Sequence, residues 1–224
     1  MQSAGIDLIT VSREFGAGGS DLARMLGERL GWPVLDHELV FRCAKRLNID
    51  TAAVERMHEC SPSLLARISA ALLVAPPEAP GIDTMHMLHI DSIAEAAHES
   101  IREAAENPPV IVVGHGAQCL FAGRRDALHV RLYAPLGVRM TRLRERYGWS
   151  AATAGAKAKE MDEVRRRYVQ RYFSHDVRDA LLYDVQINTG HMSVEAAVRV
   201  VEQMVTGAPA AAAKHQEHGA GATA

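Results

Sequence analysis

Cysteine is scarce and poorly placed for structural chemistry. Cys43, Cys60 and Cys119 are odd in number, far apart and form no CxxC pair, so neither a disulfide framework nor a cysteine zinc site is expected. Lysine is almost as rare. Of 25 basic residues only Lys45, Lys157, Lys159 and Lys214 are lysines. No apolar run is long enough to cross a bilayer, and the first residues lack a basic segment followed by a long apolar one. The expectation is a chain without a membrane partner, working in a reducing cytoplasm. A formal net charge of -2 leaves no basic excess. With no RNA- or DNA-binding motif either, nucleic acid is not an expected partner.

What is present is apolar residue at alternating strand and helix spacing. With 48% hydrophobic residues in 224, the chain has enough for one sizeable α/β domain with a small insertion. Strands are expected at Asp7–Ser12, Val34–Leu35, Val110–Val113, His129–Tyr133 and Tyr183–Asn188. Helical spacing appears over Ser20–Leu30, Asp36–Leu47, Ile90–Ala105, Pro135–Tyr147, Ala151–Tyr172 and Ser193–Val205, with APPEAPG at 75–81 a loop. This order implies right-handed crossovers and a parallel five-stranded sheet flanked by helices on both faces. Residues 207–224, rich in Ala and Gly and without branched apolar side chains, read as a disordered tail.

In such a sheet ligands sit at the carboxyl ends of the strands. The first strand runs into Ser12-Arg13-Glu14-Phe15-Gly16-Ala17-Gly18-Gly19-Ser20 and then a helix. That context suits a phosphate loop. The amides of Gly16, Ala17, Gly18, Gly19 and Ser20 would form an anion nest at a helix start. The Ser20 hydroxyl is placed to hold Mg²⁺, with Asp21 acting through water. The loop departs from GxxxxGK[ST] at both ends: Arg13 stands at the first Gly and Gly19 at the Lys. Arg13 is therefore the candidate to contact phosphate in the lysine's place. Further along, Arg139, Arg142 and Arg146 are spaced i, i+3, i+7 and share one helix face. His86 and His89, at i, i+3, supply two potential metal ligands but specify no third.

The stretch SREFGAGGSDLARMLGERLGWPVLDHELV resembles the cytidylate kinase-like family, a branch of the P-loop nucleoside monophosphate kinases that lacks the loop lysine. VIVVGHGAQCL is similar to the family's third strand. Asp162-xx-Arg165-xx-Tyr168 is similar to its D-x-x-R-x-x-Y helix, and YDVQINT to its last strand. The resemblance covers roughly residues 7–205. It implies a three-layer P-loop kinase domain over 1–206, with a helical acceptor-binding insertion at about 50–106 and an arginine-rich lid at about 137–172.

The resemblance also implies a reaction: transfer of the ATP γ-phosphoryl group, with Mg²⁺, to a nucleoside monophosphate such as CMP or dCMP. Arg13, Arg139, Arg142, Arg146 and Arg165 become the candidate cations around the transferred group. Asp36 and Arg42 become acceptor-site candidates, joined by His115, which stands where the family usually has an Arg. Two other readings remain open. One is a nucleotide-binding sensor or interaction module without catalysis. The other is a small-molecule kinase with a hydroxyl acceptor and Asp36 as base.

Overall fold

A computed structural model describes residues 5–36 and 84–207, with only the backbone for 84–93. The expected helix from Asp36, most of the expected insertion, Arg42 and the expected tail lie outside the described residues.

The central strand β1 (Leu8–Arg13) carries the β-branched run LITVSR and is buried along nearly its whole length. Strands that cannot face water on either side read as continuous apolar runs, and this one pairs on both edges. Its neighbours are β3 (Val110–Val113), with Leu8 opposite Val110, and β4 (Ala127–Tyr133), with Ser12 opposite Arg131. The short β2 (Val34–Leu35) adds to β3, and β5 (Val185–Asn188) adds to β4. All four pairings are parallel, in the order β2-β3-β1-β4-β5.

Two helices cover one face, α1 (Gly19–Leu30) and the C-terminal α6 (Val194–Thr206). Their core is built from Ile9, Val11, Val113, Val130 and Leu132 against Leu22, Leu26, Val198 and Val201. On the other face α2 (Thr84–Ala105) and the one-turn α3 (Ala117–Leu120) meet Leu8, Val110 and Val112. Toward the C-terminal end of β1 and β4 this second face turns polar. Thr10 Oγ1 lies 2.8 Å from His129 Nδ1, and Ser12 and Arg131 follow on the same side. Side chains alternate between faces along a strand, so this polar stripe follows directly from the strand sequences.

The remaining helices, α4 (Leu136–Tyr147) and α5 (Ala151–Phe173), form a hairpin turned by Gly148 in the left-handed region. Ser150 caps α5 by accepting from the Thr153 amide at 3.1 Å. Leu143, Ala154 and Ala158 fill the hairpin, and Phe15 from the loop after β1 plugs into the same cluster.

Three boundaries differ from expectation by two residues or more. β5 begins at Val185 rather than Tyr183, because the Asp184 carboxylate instead accepts from the His129 amide at 2.7 Å. β4 begins two residues early, at Ala127. α2 starts at Thr84, so His86 and His89 lie within a helix. Among the described residues no three His, Cys, Asp or Glu side chains converge on a metal-sized space, and no helix is long and apolar enough to cross a membrane.

Candidate active site

The turn between β1 and α1 is held by two glycines that no other residue could replace cheaply. Gly16 and Gly18 have φ of +85° and +88°, where an L side chain is strained. A Cβ on Gly18 would also stand 2.6 Å from Val194 Cγ2. Three loop amides are taken by protein acceptors. Glu14 N–H donates to the Leu132 carbonyl at 3.0 Å, Ala17 N–H to the Glu14 carbonyl at 3.1 Å, and Phe15 N–H to Asp162 Oδ1 at 2.7 Å. The amides of Gly16, Gly18, Gly19 and Ser20 have no acceptor among the described residues. Four unclaimed donors at the start of a helix, on the carboxyl end of the central strand, are chemically suited to an anion. The Ser20 hydroxyl stands beside them. Asp21 is already engaged, accepting from Arg146 at 2.7 and 2.9 Å.

Arg13 does not pair with its neighbour Glu14. Its aliphatic stem crosses Gly19, where an added Cβ would lie 2.6 Å from Arg13 Cβ and 2.7 Å from Cγ. The guanidinium continues over Gly114, just past β3, and reaches Asp36 after β2 at 3.7 Å. The Arg13 and Asp36 side chains are only 17% and 15% exposed, so this pair is shielded in a way surface pairs are not. Burial lowers the Arg13 pKa, with Asp36 opposing.

His115 and Arg165 complete the cluster. His115 holds φ of +55°, rare outside glycine, and meets Tyr168 edge-on at 6.3 Å. Burial, then the Arg13 charge, pushes its pKa down to about 4, so the ring is neutral at pH 7. Arg165, on α5, donates to the Arg13 carbonyl at 3.2 Å and lies 5.7 Å over the Phe15 ring. Burial, then the Arg13 charge, lowers its pKa to about 9. Two guanidiniums therefore meet the Asp36 carboxylate, the Asp162 carboxylate 3.8 Å from Arg165 and one neutral imidazole, and the burial that opposes their charge would be offset by a further anion.

The three arginines of α4 are placed differently. The Arg139 guanidinium is engaged by protein, donating to Ala134 O at 2.9 Å, Phe15 O at 3.1 Å and Asp162 Oδ2 at 2.6 Å. Arg142 donates to Thr189 O at 2.6 Å and Thr189 Oγ1 at 3.1 Å, while Thr189 Oγ1 donates to the Ala17 carbonyl at 2.9 Å. Arg146 holds Asp21. Together they bolt the helical hairpin to successive points along the loop, and none of the three joins the Arg13–Arg165 cluster.

Several residues of the site carry no clear sequence signal. Glu14 accepts from the Ala134 amide at 3.2 Å and stands 3.4 Å from Arg139, which fixes the corner between β4 and α4. Asp162 is 3.8 Å from Arg165 but bonds more closely to Arg139 and the Phe15 amide, contacts that its motif does not announce. Arg131 is buried within β4; its one visible sign is a charge inside an apolar strand.

Known proteins similar to this chain point to one family. The model of the cytidylate kinase-like family matches residues 8–191. Among curated relatives, a cytidylate kinase of Pyrobaculum aerophilum is 26% identical over 194 residues, 86% of this chain and 89% of that protein. One of Methanoregula boonei is 26% identical over 196 residues, again 86% of this chain, and 91% of that protein. Among solved structures, an uncharacterized protein from Eubacterium ventriosum superposes with a TM-score of 0.62 at 21% identity, over 88% of this chain and 97% of its own; that likeness speaks for the fold. With more than three quarters of its length matched by the family model, and a parallel sheet that ends in a glycine turn with unclaimed amides, the chain belongs to the cytidylate kinase-like family.

Proposed function

We propose that this protein is an ATP-dependent nucleoside monophosphate kinase whose loop lysine is replaced in function by Arg13. The observation that carries the reading is the crossing of Arg13 over Gly19. The arginine stem occupies the space where a lysine at position 19 would begin. A cation thus stays beside the loop, entering from the strand side.

In this reading the amides of Gly16, Gly18, Gly19 and Ser20, with Ala17 shaping the turn, cradle the ATP phosphates, and Ser20 holds Mg²⁺. The metal would supply charge neutralisation of the phosphate oxygens. Arg13 and Arg165 stabilise the charge spreading over the transferred group. The acceptor phosphate is already ionised, so no base is needed, and positioning with electrostatics supplies the catalysis. Asp36, Arg42 and His115 contact the acceptor, for which CMP and dCMP come first because the curated relatives are cytidylate kinases. Arg139, Arg142 and Arg146 are positioning residues: they hold the 137–172 hairpin as a lid over the loop and exclude water.

The test is an acceptor screen with Mg·ATP. ADP formation that requires both Mg²⁺ and an added monophosphate, fastest with CMP or dCMP, is the expected result. Turnover no higher than the acceptor-free rate across the panel overturns the kinase reading. A second reading, a nucleotide-binding module without catalysis, is favoured by the lack of any lysine on the loop. ATP binding in calorimetry with no turnover would select it.

A further inference from the structure

A cavity of about 280 Å³ opens on the polar second face of the sheet, between the C-terminal ends of β1 and β4 and the helix α5. No residue of the Gly16–Ser20 turn lines it, but Arg13 and Arg165 do, so it adjoins the proposed phosphate site without including the amide nest. Six cationic side chains line it against three carboxylates. Its volume lies under the roughly 300–1,000 Å³ of pockets that enclose drug-sized ligands. It therefore suits a small ion better than a whole nucleotide.

The cations are not equally available. Arg166 is tied to Glu163 at 2.7 Å, and Arg178 to Asp176 at 2.7 Å. Two others differ. Arg131 is only 8% exposed, yet its contacts are long: Gln186 Oε1 at 3.3 Å, Glu14 at 3.8 Å and the Tyr183 ring at 5.7 Å. Lys159, at the mouth, has no ion pair or hydrogen bond among the described residues, whereas Lys157, on the same helix, holds Glu160 at 2.7 Å. A buried, loosely satisfied guanidinium and an uncommitted ammonium thus line one concave space. Walls of low dielectric strengthen the positive potential between them.

We propose that this cavity is a seat for a small phosphate-class oxyanion, held by Arg131 from the sheet and Lys159 from the helix. The guanidinium offers a fork of donors that matches a tetrahedral oxyanion, and the ammonium adds a mobile point charge. The inference extends the site of the proposed function, with which it shares Arg13 and Arg165, but oxyanion binding here stands or falls without any phosphoryl transfer.

Tungstate, an isostere of phosphate with a strong anomalous signal, locates the seat in crystals, and pyrophosphate titration by calorimetry measures it in solution. The expected result is a tungsten peak between Arg131 and Lys159. In solution, Lys159→Ala should weaken pyrophosphate binding roughly tenfold, the size of one charge-assisted hydrogen bond, with an unchanged melting temperature. Lys159→Arg should retain binding. Competition then separates the sources. Displacement of tungstate by inorganic phosphate assigns the seat to a free anion, and displacement by CMP alone assigns it to a nucleotide's phosphate group. A peak only at the Gly16–Ser20 amides, no peak at all, or a Lys159→Ala protein that binds as tightly as the parent overturns the proposal.

Discussion

At the scale of single residues the loop is an exchange of two positions. Arg13 and a lysine at position 19 compete for one volume, so neither can be judged alone. Restoring the lysine by Gly19→Lys forces its Cβ to within 2.6 Å of the arginine stem. Overpacking of this kind costs about 1–3 kcal/mol. The single variant is expected to melt lower and to lose, not gain, ADP formation. Arg13→Gly combined with Gly19→Lys removes the clash and recreates GxxxxGKS; it is expected to recover both stability and activity. A gain in turnover from Gly19→Lys alone would falsify the exchange. His115 supports a second residue-level prediction. Its pKa of about 4 lies below the ordinary histidine value of 6.5, as does that of His98, also at about 4 through burial and then the Arg102 charge. The unfolded chain takes up these protons first, so stability falls as pH drops from about 6.5 toward 4, by at most about 3 kcal/mol for each ring. Around His115 stand Arg13, Asp36, His98 and Arg165. Only Asp36 favours its charging. His115→Asn tolerates the positive φ and has no proton to gain, so its melting temperature should decline less steeply over that range.

At the scale of elements the α4–α5 hairpin is fastened to the loop by contacts of graded burial, and the grading predicts graded energetics. Arg139 is 7% exposed and satisfies Ala134, Phe15 and Asp162 at once. Arg139→Met removes the closest partner of the Asp162 carboxylate, leaving it the Phe15 amide and Arg165, and should cost about 1.5–3 kcal/mol in urea unfolding. Arg146 and Asp21 form an exposed pair with side chains 53% and 35% accessible. Arg146→Ala should therefore change stability by less than about 1 kcal/mol. If the two variants unfold at the same denaturant midpoint, the hairpin is not held mainly through Arg139. Much of this arrangement was legible beforehand. The i, i+3, i+7 spacing foretold a shared helix face, and the β-branched runs foretold all five strands, because local periodicity determines which way side chains point. What each arginine meets was not legible. Asp162, Thr189 and Asp21 lie 23, 47 and 125 residues from their partners, and separations of that order are settled by the chain's topology. The Arg13–Asp36 pair was hidden for the same reason: Glu14 was the nearer acid in sequence, but it lies by Arg139 and Arg131, away from Arg13.

For the whole molecule, the C-terminal edge of the sheet concentrates positive charge where the fold leaves amides free, and that concentration has a cost. Arg165 titrates near 9 because burial and the neighbouring Arg13 both oppose its charge. At neutral pH it remains charged, but that charge carries a cost in the folded protein that it lacks in the unfolded chain. Sites that spend stability on charge recover it when an anion arrives. Arg165→Met keeps the packing over Phe15 and removes the like-charge repulsion, so the unliganded variant is expected to melt higher than the parent. Its response to nucleotide should move the other way. A ligand that binds only the folded state at a hundred times its dissociation constant adds about 2.7 kcal/mol. At the same Mg·ATP concentration the parent should show a clear upward shift in melting temperature and Arg165→Met a much smaller one. The two melting curves, measured with and without nucleotide, should thus change order. If Arg165→Met instead melts lower without ligand and keeps the full nucleotide shift, Arg165 serves the fold alone, and Arg13 is left as the cation of the phosphate site.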